Sequence, residues 1–256
     1  MRATLRLGRF FGVNVGLHWS VLVIVGLISF GLTGGIADVG LWAVVLPTVG
    51  VFLGCLLAHE LAHSVVAQRN GMEVRGITLW ILGGVAQLGG PMPSAGAEFR
   101  IAAAGPAMSY ALAGSFFGLA AAAGALGGPH LIVQALEWLT LVNVVLGTFN
   151  LIPAAPLDGG RILASAIWAR TGDRVRAEVA AARVGQAFGG GLIVAGLVGP
   201  LVGVPYVSVW TALMGLYVWR VATFEQKNAR LAGVLPAEAL RTHENAERFA
   251  AEQSSV

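Results

Sequence analysis

The sequence predicts an all-α polytopic membrane protein of about six transmembrane helices, with one small membrane-associated β hairpin or re-entrant strand. Three observations predict it. Of the 256 residues, 56% are hydrophobic and only 11% charged, where soluble domains carry about 25% charged residues; the mean hydropathy is +0.76. Apolar runs recur at roughly 17–36, 41–68, 100–126, 131–152, 184–203 and 205–222, each near the ~20 residues needed to cross a bilayer. Basic residues gather on every second connection, the positive-inside pattern of six spans with both termini cytoplasmic.

In chain order, Arg2, Arg6 and Arg9 precede the first run. That run is long and lacks a small-residue cleavage site, so it reads as a retained anchor rather than a signal peptide. His18 and Trp19 open it at the interface, where a structural role suits the histidine. Arg69, Arg75 and Arg100 flank the gap between the second and third runs, and Arg161, Arg170, Arg174, Arg176 and Arg183 fill that between the fourth and fifth. The intervening turns near 34–40, 124–130 and 199–205 contain no Lys or Arg.

MEVRGITLWILGGVAQLGG (72–90) departs from the helical runs. Its first half is β-branched and aromatic, and Gly83–Gly84 and Gly89–Gly90 break the second, so it reads as a hairpin or re-entrant loop. Strand edges cannot face lipid, so it must pack in protein or line a wet cavity. Residues 1–224 form the membrane domain on this reading, and 225–256 a polar, helix-prone cytoplasmic tail. No basic patch is interleaved with aromatics, which argues against nucleic acid. Cys55 is the only cysteine, so no disulfide forms within the chain.

Chemistry concentrates in CLLAHELAHS (55–64). His59 and His63 are four residues apart, so both imidazoles leave one face of a helix. That geometry suits two nitrogens of a tetrahedral Zn²⁺ site, and Glu60 stands beside them as a base toward water. Three such groups in an apolar span are costly, and ionisable residues within spans mark function by default. A catalytic zinc needs a third protein ligand and an open position. The chain has three aspartates. Asp38 falls in an extracytoplasmic turn and Asp173 in an arginine-rich loop, both ordinary solvated positions. Asp158 instead follows the fourth run in FNLIPAAPLDGGRIL (149–163), where Pro153 and Pro156 should end the helix and Gly159–Gly160 permit close backbone approach. Both runs head inward, so the site would lie within the membrane, His59 and His63 roughly 9–15 Å from the cytoplasmic end of their helix at 1.5 Å per residue.

These residues resemble the site-2 protease family of intramembrane zinc metalloproteases. HELAHS (59–64), ITLWILGGVAQL (77–88), AAAGPAMS (102–109) and NLIPAAPLDGG (150–160) carry the likeness, in the family's order. The resemblance implies one Zn²⁺ held by His59, His63 and Asp158, with Glu60 as general base. It implies a substrate- or oxyanion-contacting role for Asn150, and a strand around Gly83, Gly84 and Val85 that pairs with an unwound substrate. The expected activity is hydrolysis of a peptide bond within or near a membrane protein's transmembrane segment, with membrane-anchored regulators as substrates by analogy. The lipid bilayer is the other partner, and self-association into a homo-oligomer stays open.

Other residues have plainer readings. Cys55, one turn before His59, would close the coordination sphere as a ligand and block catalysis, so it reads as a small core residue. Asn143 suits interhelical hydrogen bonding, and Glu137 suits snorkelling to the interface. Gly189–Gly191 fit either a lateral gate or helix packing. Two other functions compete: a metal transporter, which would spread ionisable groups through the membrane, and an inactive relative that binds transmembrane segments without cutting them.

Overall fold

The computed structural model describes residues 4–81, 83–205 and 207–234, apart from the side chains of Val85, Leu88 and Val234. The chain divides into two compact units, Met1–Ile152 and Pro153–Val256.

Among its described residues the first unit holds four strands and four helices: β1 (Leu5–Phe10), β2 (Val13–Leu17), α1 (Val21–Thr33), α2 (Val39–Arg69), β3 (Glu73–Trp80), β4 (Gly83–Gly89), α3 (Ala95–Ala125) and α4 (His130–Asn150). The expected hairpin at 72–90 is present as the antiparallel pair β3–β4, with Trp80 opposite Gly83 and Thr78 opposite Val85. It belongs to a larger sheet of order β1-β2-β3-β4, in which β2 runs parallel to β3. The connection between those two strands carries α1 and α2. Residues 5–17, which the sequence offered as a basic flank, are the added hairpin. Its two-residue turn is Phe11–Gly12, both at positive φ, the backbone that lets tightly joined strands twist correctly.

The sheet's apolar face packs on the helices. Val13, Val74, Ile77 and Leu79 form one buried cluster with Val21, Ala67 and Ile101. α2 is 31 residues long, about 46 Å at 1.5 Å per residue. Asp38 caps its start by accepting from the Leu41 N–H at 2.7 Å, and Ser94 caps α3 through the Ala97 N–H. Each cap satisfies a backbone donor that the helix itself leaves over.

The second unit contains α5 (Asp158–Thr171), α6 (Arg174–Val198), a 3₁₀ turn (Gly199–Val202) and α7 (Val209–Val234). The gap expected between the fourth and fifth spans is therefore largely helical. Asp173 caps α6 by accepting from the Arg176 N–H, and the helix starts ten residues before the expected span. α6 lies tightly on α7: a Cβ at Gly189 would stand 2.7 Å from the Gly215 carbonyl oxygen and from Trp219 N. That close approach gives Gly189 a packing role, whereas added Cβ atoms at Gly190 and Gly191 meet nothing within 4 Å.

Among the described residues, four helices are long and apolar enough to cross a membrane: Val39–Arg69, Ala95–Ala125, His130–Asn150 and Arg174–Val202. They correspond to the second to fifth expected spans. The first is represented by α1, apolar but only 13 residues long, because β2 and the turn after it take up the start of the run. The sixth corresponds to α7, whose apolar start is diluted by Arg220, Glu225 and Lys227. The expected tail is helical over 225–234, and residues 235–256 lie outside the described residues.

Candidate metal centre and the strand beside it

The C-terminal half of α2 presents HELAH against α3. His59 and His63 are buried, 4% and 9% exposed, with ring centroids 4.9 Å apart and planes at 76°. The His63 Nδ1 lies 2.6 Å from the Ile101 carbonyl oxygen. A carbonyl can only accept, so Nδ1 carries a hydrogen, and in the neutral ring Nε2 carries the lone pair. His59 Nδ1 lies 2.9 Å from the Ser109 Oγ; when that oxygen accepts, Nε2 of His59 has the same character. Outer hydrogen bonds of this kind fix the tautomer and orientation of metal-binding imidazoles.

Gly105 explains how the two Nε2 atoms come to share one space. A Cβ there would stand 2.5 Å from His59 Nε2 and closer still to His63 Nε2. Glycine leaves that volume open, and α3 places Ser109 one turn further on, completely buried. A metal ion fits the donor set: two imidazoles, each held through its Nδ1, face a volume that one methyl group would fill.

Glu60 is half-buried and lies against β4. A Cβ at Gly84 would approach the Glu60 Cγ and stand 2.7 Å from its Cδ. The strand backbone therefore reaches the carboxylate only because residue 84 has no side chain. Gly83 precedes it at φ 127°, backbone that glycine adopts readily. Gly83, Gly84 and Val85 thus open β4, the last strand of the sheet.

Asn150 closes α4, half-buried, and its Nδ2 donates to the Leu146 carbonyl at 3.0 Å. Asn143 is fully buried and donates to the Leu139 carbonyl, within its own helix. Cys55 is buried, Glu137 is exposed, and His18 Nδ1 bonds the Ser20 hydroxyl at 2.8 Å.

In the second unit, Asp158 is the first residue of α5. The segment before it is clamped: the Ala155 N–H donates to the Ala181 carbonyl, and Gly160 and Gly185 allow α5 and α6 to close on the Ala154–Ala155 backbone. The helix break expected ahead of Asp158 is thus present, with Pro153 and Pro156 in the turn.

Sequence reasoning missed Gly105, Ser109 and the Ile101 carbonyl as supports of the histidines. The signal for Gly105 and Ser109 was AAAGPAMS (102–109), where a helical glycine precedes a serine by one turn; a backbone carbonyl leaves no such mark.

The sequence pattern of Peptidase family M50 matches residues 47–127 and 127–192, more than half of the chain. Rip3 of Mycobacterium tuberculosis, provisionally named a zinc metalloprotease, is 41% identical over 251 residues, covering 94% of this chain and 64% of the relative. The Synechocystis protein sll0528, similarly named, is 35% identical over 241 residues, covering 90% and 62%. The chain thus spans just under two thirds of the length of these curated relatives. The solved site-2 protease from Methanocaldococcus jannaschii superposes with a TM-score of 0.60 at 30% identity, covering 87% of this chain and 94% of that one. Residue pattern, fold and relatives agree, and the chain belongs to the site-2 protease family, peptidase family M50.

Proposed function

We propose that this chain is a zinc-dependent intramembrane endopeptidase, cutting a peptide bond within or near the transmembrane segment of a membrane-protein substrate. The observation that carries the reading is the placement of Glu60. Its carboxylate lies against the sheet's terminal strand at Gly84, while the same turn of α2 brings the His59 and His63 side chains together. A base, two metal-binding groups and a strand with a pairing edge meet in one place.

His59, His63 and Asp158 would hold one zinc ion, as His₂Asp is a donor set suited to that metal. When bound, zinc supplies Lewis acidity that polarises the scissile carbonyl and acidifies water. Glu60 takes the proton from the attacking water and delivers it to the leaving amine. Asn150 donates a hydrogen bond to the oxygen of the scissile carbonyl as charge develops there, a contribution of about 3 kcal/mol in comparable sites. An intact helix shields its peptide bonds, so the substrate unwinds, and pairing with β4 at Gly83–Val85 satisfies its freed backbone. Residues 1–224 make up the protease domain in this reading, with six membrane-embedded helices and both termini cytoplasmic, as the charge pattern suggests. Membrane-anchored regulators are the substrate class.

Reconstitution with single-span substrates in lipid vesicles tests this. Cleavage should vanish on zinc chelation and return when zinc is restored. Zinc flux across the vesicle without cleavage would favour a transporter. Zinc binding without any cleavage would favour a relative that only binds transmembrane segments.

A further inference from the structure

The β1–β2 hairpin carries none of the candidate metal-binding or catalytic residues, yet its residues are unusual for a solvated turn. Register places Leu5 opposite Leu17 and Phe10 opposite Val13, while Arg6 faces Gly16 and Arg9 faces Asn14. Paired residues share a face of the sheet. One face therefore carries Leu5 and Phe10 in line with Val13, Val15 and Leu17, and the other carries Arg6, Arg9 and Asn14. The apolar face is covered under β2, where Val13 and Val15 are buried, but it continues uncovered onto β1, where Leu5 is 57% and Phe10 43% exposed.

The tip is more unusual still. Phe11 is the one described non-glycine residue at positive φ, 49°, and it is 76% exposed. Bulky side chains are outliers in that backbone region, and such strain tends to accompany function. Folding alone would favour Asn or Gly at this position.

The surroundings identify what covers this surface. The hairpin leads through Trp19, itself exposed, into α1, which displays Leu22, Leu27 and Phe30 outward. The Trp19 N–H donates to the Thr4 hydroxyl, tying the start of β1 to that point. Exposed tryptophan at the head of an apolar helix marks the bilayer interface. β1 is also the end strand of the sheet, and its unpaired backbone edge cannot enter hydrocarbon. Headgroup depth reconciles all of this: apolar side chains reach the acyl boundary, the edge stays hydrated, and the arginines meet lipid phosphates.

We infer that the β1–β2 hairpin docks on the bilayer surface, its Phe10–Phe11 tip dipping into the headgroup–acyl boundary and Arg6 and Arg9 engaging anionic headgroups. The test uses the full chain with Cys55→Ala, carrying a nitroxide label at Phe11→Cys or Asn14→Cys, in vesicles of phosphatidylcholine with or without phosphatidylglycerol. Collision rates with oxygen, which partitions into lipid, and with a water-soluble nickel complex report depth. Position 11 should give an oxygen-to-nickel ratio several-fold above that of position 14. Phosphatidylglycerol should raise the ratio at position 11, and Arg6→Gln with Arg9→Gln should remove the increase. Equal, nickel-accessible behaviour at both positions would overturn the inference by showing a solvated hairpin. Protection of position 11 from both reagents would overturn it by showing protein cover. Neither readout involves cleavage, so the result is independent of the protease reading.

Discussion

The two ends of the one sheet are built on opposite plans. At the β4 end the strand opens on two residues without side chains: Gly84 brings bare backbone against the Glu60 carboxylate, and Gly83 supplies the positive φ that starts the strand. At the β1 end the strand is loaded with them, and a phenylalanine occupies the positive-φ position where glycine would fit. The difference teaches that a strand edge can be specialised by what its residues lack as much as by what they carry. On the proposed reading, thin backbone admits another chain beside a base, whereas bulky apolar and cationic side chains favour a lipid surface.

The largest effect should come from the seat beneath the histidines. Gly105→Ala puts a methyl group where the His59 and His63 Nε2 atoms meet, so purified protein should contain no zinc by elemental analysis, and cleavage should be abolished. Next comes the bare end of the sheet. Gly84→Ala drives a Cβ into Glu60 and should lower kcat about 100-fold, the scale of a misplaced catalytic group, with zinc content unchanged. That pairing of outcomes would separate the proposed base from the proposed metal ligands.

A smaller effect is expected at Ser109. Ser109→Ala removes the partner of His59 Nδ1 and should weaken zinc binding about 10- to 100-fold in a chelator competition, without loss of helix content by circular dichroism. Smallest is the loaded end. Arg6→Gln with Arg9→Gln should leave zinc content and cleavage in detergent unchanged, and weaken only the association with anionic lipid, by about 1 kcal/mol per charge. A catalytic defect in detergent would erase the contrast between the two ends.

Much of this was legible in the sequence, for identifiable reasons. HELAH declares itself because helical spacing alone sets both histidines on one face. The break ahead of Asp158 is legible because proline cannot continue a helix, and the β3–β4 hairpin because β-branched residues and paired glycines interrupt an otherwise helical pattern. The β1–β2 hairpin was hidden by its arginines, which look like the basic flank of a membrane anchor, and by a turn built on Phe11 rather than on Asn or Asp. Ser109 and Gly105 were hidden for another reason: a small residue inside a helix acquires its role only from what packs across it. Asp38 and Asp173 looked like ordinary solvated residues, and each caps a helix. Whether a short polar residue caps depends on where the helix starts, and boundaries are poorly fixed by composition.

In the proposed function, Glu60 moves the proton at a metal site built on α2. The most direct measurement compares wild type with Glu60→Gln in the same vesicles, following zinc per chain and cleavage of a single-span substrate together. Zinc should be unchanged and cleavage lost. Undiminished cleavage by Glu60→Gln would contradict it.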